Sequence, residues 1–277
     1  MPRMQFIRQV GVFRWAWRYG ARQFTKRVLR RDNLMHLPNG SSIVLPRGSQ
    51  SATEVYVTGA NVDWGAEALF ARFAEPERDF IDVGAHIGYY SAYLSPLVRR
   101  VYAFEPHPAN YAPLQANARL AGNVEVVPMA VSSHGGTGQL HLRAGSSVSS
   151  LDRSGGETIS VPLTTIDDFL SARPQADPAL IKTDIEGHDL QALLGMRTTV
   201  ARCRPLILTE CDDRAALAEL CKDWEYSIFA FTRDRVSLKT KFLEMSSAGA
   251  LENFWCKMLF LVPPRLHPQF RRRAESG

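Results

Sequence analysis

Phe80-Ile-Asp82-Val-Gly84-Ala-His86-Ile-Gly88 is a short apolar run that passes through an acid into two glycines four residues apart. Followed by a helix over Tyr89 to Leu97, such a strand brings backbone N–H groups close to a ligand at the carboxyl edge of a sheet. Dinucleotide folds space three glycines there as G-x-G-x-x-G, with the helix start facing a pyrophosphate. Here the middle glycine is absent and Asp82 precedes the first. A carboxylate beside the loop repels phosphate but suits a cation such as the sulfonium and amine of S-adenosylmethionine. Alone, the run is also compatible with an αβ turn that binds nothing.

Outward from this corner, strands alternate with helices from residue 79, the signature of a parallel sheet covered on both faces. Val101 to Glu105 reads as the second strand and Val124 to Val127 as the third, with a helix between them that stops at Gly122-Asn123. Thr165 is a candidate N-cap for the helix Ile166-Asp-Asp-Phe-Leu170. Ala179 to Asp184 and Leu206 to Glu210 supply the fourth and fifth strands, and Tyr226–Phe231 and Lys257–Val262 two closing ones. Residues 132–160, rich in Ser and Gly, read as a β insertion or a substrate-side loop.

Glu105 ends the second strand 23 residues after Asp82, the distance at which a doubly wound fold holds ribose hydroxyls. The fourth strand should adjoin the first, so the cluster Asp184-Ile-Glu186-Gly-His188-Asp189 falls beside the crevice where ligands sit. Three acids and a histidine there are costly unless they face water, each other or a substrate. Asp184 and Glu210 with Glu186 or Asp212 form an alternative Mg²⁺ set, but hydrogen bonding to acceptor hydroxyls is an equal use of clustered carboxylates, and no metal is assigned.

The net charge of +5 hides a division. Residues 1–31 hold nine Lys/Arg and no acid, and 265–277 hold four Arg and one Glu, so the body between is net −7. An acidic body argues against a nucleic-acid partner. Phe6, Val10, Phe13 and Trp17 form one helical stripe among arginines. That stripe either lies on an anionic membrane or packs on the body, and packing is the commoner arrangement. Leu37 to Pro46 reads as a hairpin around Asn39-Gly40. No apolar run of about 18 residues occurs, and Cys203, Cys211, Cys221 and Cys256 form no C-x-x-C pair. A cytoplasmic protein with reduced thiols, peripheral on the inner membrane face if the stripe binds lipid, is the expectation.

The run Phe80 to Ser91 closely resembles the opening of the FkbM-type S-adenosylmethionine-dependent methyltransferases, as do Ala103-Phe-Glu-Pro-His-Pro108, Val161 to Leu170 and Leu180 to Asp189. Asn253-Phe with Leu259-Phe-Leu-Val-Pro263 resembles the family's closing strand. The resemblance implies a class I, Rossmann-like α/β fold: a doubly wound sheet of seven strands, six parallel and one reversed. It divides the chain into a basic extension (1–78), the methyltransferase domain (79–263) and a basic tail (264–277). It also implies S-adenosylmethionine as cofactor and O-methylation of a sugar, glycan or secondary-metabolite hydroxyl. By position, Asp82, Gly84 and Gly88 would line the methionine end and Glu105 the ribose. His86, where the family commonly has Asn, Pro106 and Ala130 would lie beside the cofactor, with Asn117 a weaker candidate. Asp184, Glu186 and His188 would face the acceptor, with His188 as base. The competing classes are a nicotinamide-dependent oxidoreductase and a non-catalytic cofactor-binding module.

Overall fold

In the computed structural model, residues 2–142, 151, 157–234, 236–237, 239–245 and 254–275 are described. The basic amino-terminal run is two helices, α1 (Pro2–Val10) and α2 (Val12–Arg27), parted at Gly11, whose φ of 86° helical backbone does not tolerate. The break corrects the expected single stripe. Phe6 is buried, whereas Phe13 and Trp17 are exposed, so these two do not pack on the body. Strands β1 (Asn33–His36) and β2 (Ser42–Leu45) pair antiparallel around the expected turn, where Gly40 takes φ 88°. Helix α3 (Gln50–Thr58) starts where Ser49 Oγ accepts from Ala52 N and ends at left-handed Gly59; α4 (Ala66–Ala71) follows.

The sheet then builds by alternation: β3 (Asp79–Val83), α5 (Tyr89–Leu94), β4 (Arg100–Phe104), α6 (Pro108–Ala121) and β5 (Val124–Val127). A small side sheet is made of β6 (Ala130–Val131), β7 (Gly136–Leu142) and β8 (Glu157–Thr164), so the described part of 132–160 is a β insertion; 143–150 and 152–156 lie outside the described residues. Next come α7 (Ile166–Ser171), capped by Thr165 as expected, and β9 (Pro178–Thr183). The chain continues through α8 (Asp189–Leu194), α9 (Arg197–Cys203), β10 (Leu206–Thr209), α10 (Arg214–Trp224), β11 (Ser227–Asp234), β12 (Thr240–Glu244), β13 (Phe254–Val262) and α11 (His267–Glu275). Asn253 lies outside the described residues.

Among the described residues the main sheet has eight strands in the order β12-β11-β13-β10-β9-β3-β4-β5. Strands β5, β4, β3, β9 and β10 run parallel, and β13 runs against both β10 and β11. Without β12 this is the expected seven-stranded class I order with one reversed strand. The eighth strand, which the sequence reading did not anticipate, is the return arm of a β11–β12 hairpin. Strand β3 is flanked by β4 on one side and β9 on the other, so the order reverses at β3 and a crevice opens beyond its carboxyl end.

Every residue of β3 and β9 is buried, as parallel strands covered on both faces require. Alternate residues feed opposite cores: Phe80, Leu180 and Phe260 one, Ile81, Ile181 and Ile207 the other. The first core also takes Ile43 and Leu45 of β2, Val55 of α3 and Phe70 of α4, so residues before 79 build one face of the domain. Phe270 of α11, 1% exposed, stacks on Phe73 and meets Phe229 and Phe260, so α11 docks on this core.

Candidate active site

The loop after β3 is shaped by what crosses it. Gly84 N and Ala85 N both donate to Phe104 O, at 3.0 and 2.9 Å. Gly84 has φ 78°, and a Cβ there would overlap the carbonyl oxygen of Asp184, so glycine is required on two counts. The two strand-end loops of the crevice therefore touch backbone to backbone. His86 follows at φ 51°, a region in which Asn and His are enriched among non-glycine residues. Its N–H donates to Glu105 Oε2 (2.8 Å), while His107 N donates to Oε1 (2.8 Å). Burial pushes the Glu105 carboxyl up, and those two backbone bonds offset this only in part. The His86 ring is driven down to about 4 by burial, against the opposing pull of Asp184, and is neutral at pH 7.

Beneath the loop lies Lys182, 3% exposed in the middle of the sheet. Its Nζ donates to Gly84 O (3.2 Å) and sits 3.6 Å from Asp82 Oδ1 and 3.4 Å from Asp184 Oδ2. A buried ammonium needs such partners. Asp82 is fully buried and also accepts from Ser91 Oγ (2.7 Å); its burial raises the carboxyl and Lys182 opposes. For Asp184 the balance runs the other way. Burial would raise it, but Lys182 and a hydrogen bond with Glu210 hold it below the usual range. Glu210, on the exposed side of the pair, is raised by desolvation and then by the neighbouring Asp184 charge.

One cavity of about 410 Å³ joins these parts. Gly84, His86, Glu105, Pro106 and Ala130, all expected beside a cofactor, line it. Asp184 and Glu186, expected on the acceptor side, line it as well. Asp82 and Gly88 are not in its wall: Asp82 lies under Lys182, and Gly88 starts α5 in a left-handed conformation against Leu114. Neither is His188 in the wall. It is 8% exposed, with Nε2 3.0 Å from Ser132 Oγ. Asn117 is a structural clamp, its side chain bonded to Val44 N (2.7 Å), Val44 O (3.0 Å) and Ile87 O (2.7 Å). Among the described residues no group of three or more His, Cys, Asp or Glu is placed to hold a metal ion.

Sequence reasoning missed the wall contributed from before β3. Glu54 and Val55 of α3, with Val62 and Asp63, line the same cavity as the strand-end acids. Asp63 Oδ2 accepts from Tyr90 OH (2.8 Å), and Oδ1 lies 3.6 Å from Lys257 Nζ. Glu67, 1% exposed, accepts from Asp63 N (2.8 Å) and Tyr89 OH (3.2 Å). The available signals were slight: two acids at i and i+4, and a Tyr-Tyr pair directly after the glycine loop.

Over residues 82–239, more than half its length, the chain matches the Methyltransferase FkbM domain. It belongs to the FkbM methyltransferase family. The nicotinamide-dependent reading falls with that membership, and S-adenosylmethionine is the cofactor of the domain. The chain is also similar to the hexuronic acid methyltransferase AglP of Haloferax volcanii, 28% identical over 130 residues, 46% of this chain and 54% of the relative. It thus spans about half the length of that curated relative. Among solved structures, an FkbM methyltransferase from Methylobacillus flagellatus KT aligns at TM-score 0.44 and 17% identity, covering 76% of this chain and 52% of that one. A precorrin-6y C5,15-methyltransferase from Geobacter metallireducens GS-15 aligns at 0.43 and 15%, covering 74% and 89%.

The residues of the cavity fit the cofactor. Glu105 accepts one backbone N–H at each oxygen and a further hydrogen bond from the Asn110 side chain, and its carboxylate lies in the cavity wall where a ribose hydroxyl could reach it. Phe104, Met129 and Val131 give the cavity an apolar lining suited to a purine. His86 Nε2 is buried without a hydrogen-bond partner, a polar atom left over in the wall.

Proposed function

We propose that this protein methylates a hydroxyl of a sugar or related polyhydroxylated acceptor. What carries the reading is one continuous cavity whose wall holds both Glu105, a ribose-type carboxylate, and the neighbouring carboxyls of Asp184 and Glu210. The hexuronic acid in the name of the archaeal relative supports a sugar as the acceptor class. When bound, S-adenosylmethionine supplies an electrophilic methyl carbon on a positively charged sulfur. Glu105 holds the ribose diol, with Gly84, His86, Pro106 and Ala130 around it; Asp82 and Gly88 act from beneath, by fixing Lys182 and the turn into α5. Asp184 accepts the acceptor's hydroxyl proton. It is a weak base when held low by Lys182, but a hydroxyl becomes strongly acidic as its oxygen gains a third bond, so a weak base in place suffices. Glu186 hydrogen-bonds neighbouring hydroxyls, and His188, bonded to Ser132, positions this loop rather than serving as the base we assigned from sequence.

Glu54, Asp63, Asp184, Glu186 and Glu210 all line the cavity, with Lys182 as the cation among them. A uronate acceptor would bring a further negative charge into that wall, so the acceptor in this reading is a neutral or cationic sugar. Peripheral contact with the inner face of a membrane extends the reading to where the enzyme works, the four free cysteines fitting a reducing compartment.

The test is transfer of radiolabelled methyl from S-adenosylmethionine to neutral and to uronate-containing oligosaccharides. Label is expected in the neutral pool; label in neither sinks the acceptor reading and leaves a binding module. Asp184→Asn should lower kcat by ~10²–10⁴-fold, the worth of a positioned base, while the cofactor dissociation constant by calorimetry stays within about twofold. Undiminished turnover would remove Asp184 as base.

A further inference from the structure

Helix α2 carries its faces the wrong way round for a helix bounded by water. The side turned to the body carries three cations, beside the half-buried Trp15 and Tyr19. Arg22 is fully buried, and its guanidinium donates to Leu45 O (3.2 Å), Pro46 O (2.6 Å) and Asn33 Oδ1. Arg18 Nη1 donates to Val57 O (3.2 Å), and Lys26 Nζ to Thr53 Oγ1 (3.4 Å). The side turned outward is aromatic: Phe13 is 92% exposed, Trp17 79% and Phe24 54%. At 3.6 residues per turn, positions 13, 17, 20 and 24 share an arc of about 60°, and exposed Val28 continues it at the helix end. Burying a guanidinium is costly, and leaving three aromatic rings in water forgoes the largest gain a helix has. A helix that does both is fastened by its cation-bearing face and keeps its apolar face for something outside the chain.

The charges around that face say what. Arg14 borders it on one side and Arg27 on the other, both exposed, with Arg30 and Arg31 exposed just beyond, and no acidic residue occurs in 1–31. We propose that this face binds the surface of an anionic phospholipid bilayer, the rings of Phe13, Trp17 and Phe24 entering the interface while the arginines meet the headgroups. A second copy of the chain would set the arginines against their own kind, whereas a bilayer supplies apolar depth and negative charge together. Helix α3 packs on α2 and lends Gln50, Ser51, Glu54 and Val55 to the cavity, so the bound surface would lie one helix away from the cavity. The inference rests on the membrane extension of the function proposed above and not on methyl transfer.

Cosedimentation of the full chain with vesicles of phosphatidylcholine alone, and of phosphatidylcholine mixed with phosphatidylglycerol, tests it. Binding is expected to the mixed vesicles. It should fall roughly tenfold or more in the double variant Phe13→Ser, Trp17→Ser, and by a similar factor in Arg14→Glu, Arg27→Glu. Neither pair touches the cavity, so calorimetric affinity for S-adenosylmethionine should be unchanged in both, which controls for folding. Equal vesicle binding by all three proteins overturns the proposal, as does no binding by the wild type. So does a wild-type dimer in lipid-free solution that the Phe13/Trp17 variant dissociates, which would make the face a contact between copies. A chain that binds mixed vesicles but labels no sugar leaves this inference standing and removes the acceptor reading.

Discussion

Glu105 does two jobs with two oxygens. Each accepts one backbone N–H, from His86 and from His107, which fixes the turn after β3 to the turn after β4. The same carboxylate faces the cavity, so what holds the loops together is also what, in the proposed reading, a ribose diol would meet. Glutamine cannot reproduce this: its NH₂ would point at one of the two N–H donors and leave it unsatisfied, at ~1–3 kcal/mol. Glu105→Gln should therefore weaken S-adenosylmethionine binding by about 10–100-fold and lower the stability together. Titration calorimetry with a parallel urea melt checks both, and undiminished affinity would remove Glu105 from the ribose site. His86 illustrates a different constraint. The resemblance places Asn here, and at φ 51° the backbone is what the two residue types have in common.

Asn117 works at the scale of elements. From α6 it accepts from Val44 N and donates to Val44 O and Ile87 O, which ties β2 to the glycine loop through one buried amide. Asn117→Ala would strand a donor and two acceptors, and a loss of about 2–4 kcal/mol in unfolding free energy is expected with cofactor affinity little changed. Lost affinity with intact stability would return Asn117 to the cofactor site, where the sequence had offered it. The contrast explains what could be read in advance. Strands β3, β4 and β9 are short apolar runs, and each ends at or beside an acid, Asp82, Glu105 or Asp184, so periodicity and spacing located both the sheet and its ligand edge. Periodicity also put Phe13 and Trp17 on one stripe, but joined it to Phe6 and Val10 across the break at Gly11 and did not say which side faces the body. Only the carbonyls of Leu45 and Pro46, distant in sequence, decide that Arg22 goes in and Trp17 goes out. For the same reason His188 looked like part of the cavity wall: adjacency in sequence to Asp184 and Glu186 does not say which side of a tight turn each side chain takes.

At the scale of the molecule, the residues before β3 are both a layer of the core and a wall of the cavity, and Glu67 records the tension between those roles. It is buried beside Asp63, accepts from Asp63 N and Tyr89 OH, and leaves Oε2 without a partner. Burial, and then Asp63, push its carboxyl from an ordinary value near 4.5 up to about 7. In the unfolded chain Glu67 ionises near pH 4.5, whereas in the folded protein it keeps its proton until about pH 7. The folded state therefore binds more protons across that interval, and stability falls as pH rises through it, by about 3 kcal/mol, then levels off. Asp189, raised to about 6 mainly by burial, adds a slope of the same sign, so the wild-type curve alone does not isolate Glu67. The variant Glu67→Gln does. It keeps an acceptor for Asp63 N and Tyr89 OH but has no proton to lose, so the difference in unfolding free energy between variant and wild type should grow in the variant's favour by about 3 kcal/mol from pH 4.5 to pH 7. Urea melts at intervals across that range measure the difference directly. Two curves that stay parallel would mean that Glu67 is ionised in the folded protein, its charge satisfied by Lys257 across Asp63 rather than suppressed by burial.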